Sequence, residues 1–372
     1  MSRLRWAVLA VGLLWMPTLV ADEQPSDKKP ASGVKDRAAQ WGEIRMEFQK
    51  ALPEVIREWR TAGSEAEKKK ALARLDPISD KAYAFVEEKP GDELSLEALV
   101  FLLGTRPQPP ERAVALITEH HLNSDRLATA LPTLMQYDTP SVQTLLRKAM
   151  EESKSQTVRG VAMFSYAKMQ HSKAEMRPDG EQSKTLTTEA ERVLDRVSRE
   201  FGDVKLGRQT LKEQADKLLF VIRNLSIGKS APEVVSRDLE DNEVRLSSLR
   251  GKVVVLDIWA TWCGPCRAMI PHEREMVQKL KDKPFVLVSI SADEKKETLK
   301  EFLENEPMPW VHWWEGRREG GILNDWNVEF FPTIYILDHK GVIRYKNIRG
   351  KAMEEAVEKL LAEMDQGKDA GR

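Results

Sequence analysis

The chain has 372 residues, of which 41% are hydrophobic and 31% charged, and its formal net charge is -1. That length is enough for two or three ordinary domains, and the composition is typical of a soluble globular protein rather than a disordered one. Because positive and negative charges nearly cancel, no overall electric field favours a nucleic acid or an anionic membrane. We therefore expect no nucleic-acid partner.

Residues 1–21 have the pattern of a secretory signal peptide: two arginines, an apolar run from Trp6 to Val20, then a small and an acidic residue. The run is shorter than the roughly 20 residues that a membrane-spanning helix needs. We expect export to the periplasm or cell envelope, with cleavage after Ala21. An uncleaved N-terminal anchor is the alternative, because Leu19 differs from the small residue usual before such a cleavage site.

Residues 22–36 are polar and lack periodicity, which predicts a flexible linker. From residue 37 to 225, apolar residues recur at three- and four-residue steps, so this region is predicted to be an all-α domain. Predicted helices include residues 64–88, 92–104, 110–121, 124–136, 139–152, 155–170, 186–201 and 208–224. Their regular spacing suggests stacked hairpins, with a solenoid and an irregular bundle as alternatives. We expect this domain to be a scaffold or to bind another protein, and we expect His120-His121 to be a surface pair.

From residue 226 the pattern changes to that of an α/β domain, predicted over 226–366 and followed by a disordered tail at 367–372. Two apolar runs, Val253–Trp259 and Phe285–Ser291, are typical of buried parallel strands, and a helix from Cys263 to about residue 281 is predicted between them. Further on we expect a short strand at 311–314, a hairpin of strands 333–337 and 342–345, and a final helix over 352–364. These elements predict a mixed sheet with helices on both faces.

Both cysteines of the chain, Cys263 and Cys266, lie in one Cys-Gly-Pro-Cys motif. Half of a zinc site is one interpretation, but tetrahedral zinc needs four ligands, and no third cysteine or paired histidine motif is present. Thiol redox chemistry is the other. A helix beginning at Cys263 would favour its thiolate, and Pro265 suits the first helical turn. We expect Cys263 to attack a partner disulfide and Cys266, one turn deeper and more buried, to resolve the intermediate.

Asp257 is an acidic residue within an otherwise apolar strand, six residues before Cys263. Burial of a carboxylate is costly and raises its pKa. Near the carboxyl end of the strand, Asp257 could accept the proton of Cys266 as a general base. Capping of a neighbouring backbone group is the alternative role.

The stretch VVVLDIWATWCGPCRAMIP resembles the active-site segment of thioredoxins, and Phe331-Pro332-Thr333 resembles their cis-proline loop. A finer resemblance, to the exported TlpA/ResA-like branch, covers about residues 226–366. It implies a thioredoxin-like fold and a thiol–disulfide oxidoreductase with no cofactor beyond the redox-active disulfide within the chain. The substrate groove that the resemblance implies contains Trp262, Gly264, Pro265, Phe331 and Pro332.

Two departures from the family pattern concern proton transfer. Many members of the exported branch have a neutral residue where this chain has Asp257, and Ser289 takes the place of the thioredoxin lysine. Asp257 would then act alone or through water. Glu329, near the cis-proline loop, is a candidate for the acidic residue often found in members that mature cytochromes.

The leading hypothesis is a reductase of disulfides in exported client proteins, because the Gly-Pro pair between the cysteines resembles that of low-potential members. Such an enzyme needs an upstream electron donor in the membrane or periplasm. Thr261, two residues before Cys263, raises the alternative of a thiol peroxidase, which the Gly-Pro-Cys that follows fits poorly. Another alternative is a non-catalytic redox sensor or adaptor whose helical domain binds a partner.

Overall fold

The computed structural model describes residues 36–105, 110–135, 137–176, 180–316 and 321–369. The predicted signal segment, nearly all of the predicted linker and the last three residues of the predicted tail lie outside these ranges. The chain forms two compact units, which divide between Ala215 and Asp216. This division lies ahead of residue 226, where the α/β domain was predicted to begin. Within the described ranges, no helix is both long and apolar enough to cross a membrane.

The first unit is built from helices. In chain order they are α1 (Arg37–Thr61), α2 (Glu65–Ala73), α3 (Asp76–Glu88), α4 (Glu93–Leu103), α5 (Glu111–His120), α6 (Leu127–Leu134), α7 (Pro140–Glu152), α8 (Gln156–Met176) and α9 (Glu181–Glu200). A two-stranded ribbon follows, β1 (Lys205–Leu206) with β2 (Gln209–Thr210). The single helix predicted over 64–88 is in fact two, because Pro77 has no N–H to continue a helix and occupies the first turn of α3 instead.

Helices of this unit pack on their neighbours in sequence and on the helix after that: α5 packs on α7, and α8 packs on α6, α7 and α9. The loop after α5 also contacts the loop after α7, 31 positions further along the chain. The backbone N–H of Lys154 donates to Asn123 Oδ1 (2.8 Å), and Ser153 Oγ donates to the carbonyl of Leu122 (2.5 Å). This pairing favours stacked hairpins over an irregular bundle.

The prediction of a surface histidine pair is wrong for His121. Its side chain is only 2% exposed, and its backbone N–H closes the end of α5 by donating to Ile117 O (3.0 Å). The chain turns at this residue, so the ring points inwards where helical periodicity alone would leave it on the surface. Burial lowers the pKa of His121 and favours the neutral ring.

The second unit contains a seven-stranded mixed sheet. Helix α10 (Leu211–Asn224) spans the division between the units. The strands are β3 (Val235–Asp238), β4 (Glu243–Arg245), β5 (Val253–Trp259), β6 (Phe285–Ser291), β7 (Val311–Trp314), β8 (Thr333–Leu337) and β9 (Ile343–Lys346). The helices are α11 (Gly264–Arg267), α12 (Ile270–Lys279), α13 (Lys296–Asn305), α14 (Ile322–Asp325) and α15 (Lys351–Asp369). The order β4-β3-β7-β6-β5-β8-β9, with β5, β6 and β7 parallel, confirms the predicted thioredoxin-like class.

Strands β3 and β4 were not predicted. They form a short antiparallel hairpin at the edge of the sheet, with Val235 opposite Arg245. Their sequences are polar, and mostly exposed residues give them no apolar run or clear alternation. The turn between them contains Asp241 at φ 69°, a left-handed conformation that aspartate tolerates better than most residues.

Strand β5 lies in the middle of the sheet and is buried along its whole length. Its two faces belong to different cores. Val254, Leu256 and Ile258 pack in a cluster with Trp313. The opposite face packs against α12 and α15 near its beginning and against the cysteines near its end. The strand therefore leads from the buried centre of the sheet to the Cys-Gly-Pro-Cys motif.

Candidate active site

The two cysteines lie just beyond the carboxyl end of β5 and are joined in a disulfide. Cys263 is the N-cap of α11, and the backbone N–H of Cys266 donates to Cys263 Sγ, with 3.2 Å between nitrogen and sulfur. Both residues are buried, at 5% exposed for Cys263 and 3% for Cys266. The expected difference in burial is thus small in this oxidised state. Position at the cap, rather than burial, distinguishes the two sulfurs.

The helix predicted from Cys263 to about residue 281 is broken into α11 and α12. Pro271 lies in the first turn of α12, where its missing N–H costs nothing. In a continuous helix that N–H would bond to the carbonyl of Arg267, so the break falls where proline requires it. The break separates the short helix that contains Cys266 from α12.

Asp293 holds the turn that leads into the motif. Its carboxylate accepts hydrogen bonds from the Thr261 backbone N–H (3.0 Å), from Thr261 Oγ1 (2.7 Å) and from Ser291 Oγ (2.7 Å). Sequence reasoning did not identify this residue. Because the Thr261 hydroxyl donates to a carboxylate, it is engaged in fixing the backbone two residues before Cys263. This contact argues against the peroxidase role considered for Thr261.

Aromatic side chains surround the disulfide on the surface. The Phe331–Pro332 peptide bond is cis, as the resemblance to the thioredoxin loop implies. Trp262 is 69% exposed and meets the ring of Phe331 edge-on, with 5.7 Å between centroids. Phe330, which sequence reasoning missed, is also exposed, at 52%. An apolar surface thus runs from the residue before Cys263 to the cis-proline loop.

The remaining residues of the predicted groove are distributed around the start of α11. Gly264 and Pro265 are exposed, whereas Pro332 is buried. Gly264 also lines a cavity of about 380 Å³, whose other lining residues are Arg267, Ala268, Ile270, Pro271 and Glu306. The first turn of α11 is therefore accessible at Gly264 and Pro265.

Asp257 is buried at 3% exposed, and its Oδ1 has no hydrogen-bond partner among the described residues. Burial raises its pKa from 3.8 to about 7, against the opposing effect of the positive charge of Arg349. The alternative role of capping a backbone group has no hydrogen bond to support it in the described part of the chain. A carboxyl that titrates near neutral pH can act as a base there.

Arg349 supplies a positive charge that sequence reasoning did not find. Its Nη2 donates to the carbonyl of Pro332 (3.1 Å), and its charge lowers the pKa of Asp257. In thioredoxins a lysine on the neighbouring strand supplies the positive charge, and here Ser289 lies in that place, opposite Asp257, as expected. Ser289 Oγ accepts a hydrogen bond from Trp310 Nε1 (2.8 Å). The cation comes instead from the segment after β9.

A second buried carboxyl, Glu273 on α12, was also missed. It is 1% exposed, and burial together with the neighbouring Asp257 raises its pKa from 4.5 to about 9. Its signal in the sequence is weak, because it stands among charged residues, although it continues the spacing of Ile270 and Met276. Glu329, the predicted acidic candidate, is exposed and accepts a hydrogen bond from Asn327 Nδ2 (3.4 Å).

No group of three or more His, Cys, Asp or Glu side chains within the described ranges is arranged to hold a metal ion. Two histidines of this unit have other partners: His312 contacts the Met308 carbonyl (2.8 Å), and His272 lies 3.5 Å from Glu354.

The C-terminal part of the chain is similar to known proteins. Residues 227–346 match the family model described as the AhpC/TSA family. Thiol-disulfide oxidoreductase ResA from Bacillus thuringiensis subsp. konkukian is 31% identical over 137 residues, which are 37% of this chain and 78% of that protein. Thioredoxin-like protein YneN from Bacillus subtilis is 33% identical over 135 residues, 36% of this chain and 78% of YneN. A solved thioredoxin domain of a Bacteroides vulgatus thiol-disulfide oxidoreductase matches at 29% identity and TM-score 0.35, covering 37% of this chain and 99% of that one.

A buried disulfide at the end of a central strand, in a cluster against which Phe331 of the cis-proline loop packs, defines a thioredoxin-like thiol–disulfide oxidoreductase domain. The predicted enzyme class is confirmed by the relatives. Through its C-terminal unit, the chain belongs to the family of ResA-like thiol–disulfide oxidoreductases.

Proposed function

We propose that this protein reduces disulfide bonds of exported client proteins, with Cys263 as the nucleophile and Cys266 as the resolving thiol. The observation that carries the assignment of roles is the cap of α11. The N–H of Cys266 is directed at Cys263 Sγ (3.2 Å), and Cys263 lies at the helix N-terminus. Both features stabilise negative charge on that sulfur after reduction.

The cycle begins when the Cys263 thiolate attacks a client disulfide. A sulfur–sulfur bond forms between Cys263 and one client cysteine, and the other client sulfur leaves as a thiolate that takes a proton from solvent. Cys266 then loses its proton to Asp257 and attacks Cys263 Sγ. The second client sulfur leaves as a thiolate that takes a proton from solvent, and Cys263 and Cys266 end as the disulfide. Two electrons have passed to the client. An upstream dithiol in the membrane or periplasm, oxidised in turn to a disulfide, supplies two new electrons that reduce the Cys263–Cys266 pair again.

We assign the client contact to the aromatic surface of Trp262, Phe330 and Phe331, together with Gly264, Pro265 and Pro332. Support comes from the exposure of Trp262 and Phe330 beside a buried disulfide. Large exposed apolar side chains are costly to maintain unless a partner covers them, and they suit an unfolded or extended client segment. The redox disulfide within the chain is the only cofactor this reaction requires.

We place the protein in the periplasm or elsewhere in the cell envelope. The basic and apolar pattern of residues 1–21 supports export, with an uncleaved N-terminal tether as the alternative to a cleaved signal. The helical unit would then present the redox unit to its partners or bind a further protein. Stacked hairpins such as those from α5 to α9 provide extended surfaces for that purpose.

Insulin reduction driven by dithiothreitol tests the reaction. We expect Cys263→Ser and Cys266→Ser each to lower turnover to the rate of dithiothreitol alone, because the cycle needs both thiols. The client-trapping experiment separates their roles. Cys266→Ala should accumulate a mixed disulfide with insulin through Cys263, whereas Cys263→Ala should not. Wild-type turnover in either serine variant, or trapping through Cys266, would contradict the proposal.

The direction of electron flow is tested by the redox potential of the Cys263–Cys266 pair. For a reductase we expect a potential near that of thioredoxin, about -270 mV. Equilibration of the full chain with glutathione or dithiothreitol buffers, followed by thiol alkylation, measures it. A potential near the about -120 mV of a strong oxidant such as DsbA would overturn the reductase assignment while leaving the dithiol chemistry intact.

A further inference from the structure

On the face of β5 that packs against α12, one acidic residue stands between two apolar residues. Side chains two residues apart on a strand share a face, so Val255, Asp257 and Trp259 are aligned on this one. Val255 packs in the cluster that contains Met276, and Trp259 packs in the cluster that contains Ile270 and both cysteines. Asp257 therefore lies at the junction between two apolar clusters.

Glu273 occupies the same junction on the helix side. It is three residues from Ile270 and three from Met276, so the three side chains are neighbours on one face of α12. Since Ile270 and Met276 belong to the two clusters flanking Asp257, Glu273 is placed between the same two clusters. The electrostatic effect of Asp257 on Glu273 agrees with this placement. Two carboxyls that interact electrostatically thus lie in an interior that is otherwise apolar.

The charges around this pair do not balance two carboxylates. Asp257 Oδ1 and Glu273 Oε1 are both buried without a hydrogen-bond partner in the described part of the chain. Arg349 is the cation that acts on Asp257, while its Nη2 donates to the carbonyl of Pro332. His272, next to Glu273 in sequence, lies beside Glu354 instead (3.5 Å). Two adjacent negative charges facing one cation in a low-dielectric site would be strongly unfavourable.

We propose that Asp257 and Glu273 share a single proton at neutral pH, held on Glu273, which leaves Asp257 ionised to receive the proton of Cys266. Glu273 is then a positioning residue that acts through Asp257. The order of the two pKa values, about 7 for Asp257 and about 9 for Glu273, is consistent with this arrangement. The catalytic consequence rests on the proposed reductase function, whereas the shared proton does not.

The proton balance of the resolving step follows. The bond between the proton and Cys266 Sγ breaks, the proton binds a carboxylate oxygen of Asp257, and the pair becomes neutral. It later returns one proton to solvent and regains its single charge. At alkaline pH Glu273 also ionises, and its negative charge raises the proton affinity of both Asp257 and Cys266. Turnover of the wild type should therefore change as pH rises through about 9.

Infrared spectroscopy of the full chain tests the shared proton directly, because a protonated carboxyl has a carbonyl-stretch band distinct from that of a carboxylate. At pH 8 we expect this band in the wild type and its loss in Glu273→Gln. The band should remain in Asp257→Asn, with its titration midpoint moved to lower pH, and in Glu275→Gln, a matched control at an exposed position of the same helix. Absence of the band at pH 8, or its persistence in Glu273→Gln, would overturn the proposal.

The pH profile of insulin reduction gives the second readout. Glutamine resembles a protonated glutamate in size and hydrogen bonding, so Glu273→Gln should retain turnover at pH 7 within about twofold, since the removed group is neutral there. Above about pH 9 the two profiles should diverge, because only the wild type gains a second negative charge there. A purely structural role for Glu273 would lower turnover equally at all pH values and would contradict the proposal. Because the infrared band needs no client, failure of the reductase function can be told apart from failure of the shared proton.

Discussion

Two aspartates, the half-buried Asp92 in the helical unit and the buried Asp257 in the redox unit, show how differently the protein treats acidic groups. Asp92 caps α4 in the helical unit, where its Oδ1 accepts from the Ser95 backbone N–H (2.7 Å) and its Oδ2 from Arg37 Nε (2.9 Å). Burial raises the pKa of Asp92, but hydrogen bonds from Ser95 and Arg37 outweigh it, so the pKa lies below its ordinary value. For Asp257 in the redox unit, burial is not outweighed, and the pKa rises to about 7.

The opposite pKa shifts of Asp92 and Asp257 indicate different roles for the two carboxylates. A buried charge with matched donors stabilises a fold or leaves it unchanged, whereas one without donors costs stability and persists where chemistry needs it. In the helical unit, the ion pair of Arg37 and Asp92 joins α1 to the start of α4. In the redox unit, Asp257 and Glu273 each have a buried oxygen that accepts from no donor among the described residues. We therefore expect substitutions at the two sites to change stability in opposite directions.

The largest effect is expected from Arg37→Met. Arg37 also donates to Glu88 (3.0 Å), to Ser95 Oγ (3.1 Å) and to the carbonyl of Phe85 (3.1 Å), and its side chain is only 14% exposed. Its removal leaves half-buried Asp92 without a cation, which should lower the free energy of unfolding by about 3 kcal/mol. Urea unfolding of the full chain, followed by circular dichroism, measures the loss.

The matched control for this variant is Arg57→Met. Arg57 is on the same helix and contacts Glu54 at 3.4 Å, but its side chain is 72% exposed. An exposed ion pair of this kind contributes roughly 0–1 kcal/mol, so the control should be nearly neutral. Equal losses in the two variants would show that burial of the Arg37 network is not what stabilises it.

Asp257→Asn should have the opposite sign. The folded-state pKa is raised, so the folded protein loses stability as pH rises from about 4, the unfolded value, to about 7, and carries the full penalty above it. Asparagine removes the titration. We expect a gain of about 1–3 kcal/mol in the free energy of unfolding at pH 8 and little gain at pH 4. Thermal unfolding at both pH values tests it.

Asp293→Asn provides the comparison within the same unit, because Asp293 is equally buried but accepts hydrogen bonds from Thr261 and Ser291. The Asp293→Asn variant should be less stable than the wild type at both pH values.

Asp257→Asn should also slow insulin reduction roughly tenfold or more at neutral pH, since the resolving thiol loses its base, while alkylation of Cys263 changes little. If both asparagine variants lose stability alike, Asp257 is a structural residue after all.

Prediction from sequence succeeded where a local pattern carries the information. The apolar runs of β5 and β6 and the period of the helices gave the fold class, and Asp257 was visible because it interrupts an apolar strand. The cis-proline loop was found through a motif. Each of these signals lies within a few residues of the feature it predicts, so no knowledge of distant contacts is needed.

The missed residues depend on contacts between distant parts of the chain. Arg349 reaches Pro332 across 17 positions, and Asp293 reaches Thr261 across 32. Glu273 is hidden among charged neighbours until the break at Pro271 fixes which face of α12 is buried. The Arg37–Asp92 pair, 55 positions apart, has no local signature at all. Tertiary packing decides these positions, and periodicity alone cannot.

The smallest effect expected concerns His121, whose pH dependence should oppose that of Asp257. Burial lowers the pKa of His121, and the hydrogen bond to the Pro90 carbonyl and the attraction by Glu93 and Asp92, which raise it, do not outweigh this effect. The neutral ring therefore contributes stability above about pH 6.5, and this contribution is lost as pH falls. In His121→Asn the loss of unfolding free energy between pH 7 and pH 5 should shrink by an amount on the order of 1 kcal/mol. His120→Asn, its more exposed neighbour, should leave that difference unchanged. A slope that is the same in both variants would show that the buried ring does not govern the acid sensitivity of the helical unit.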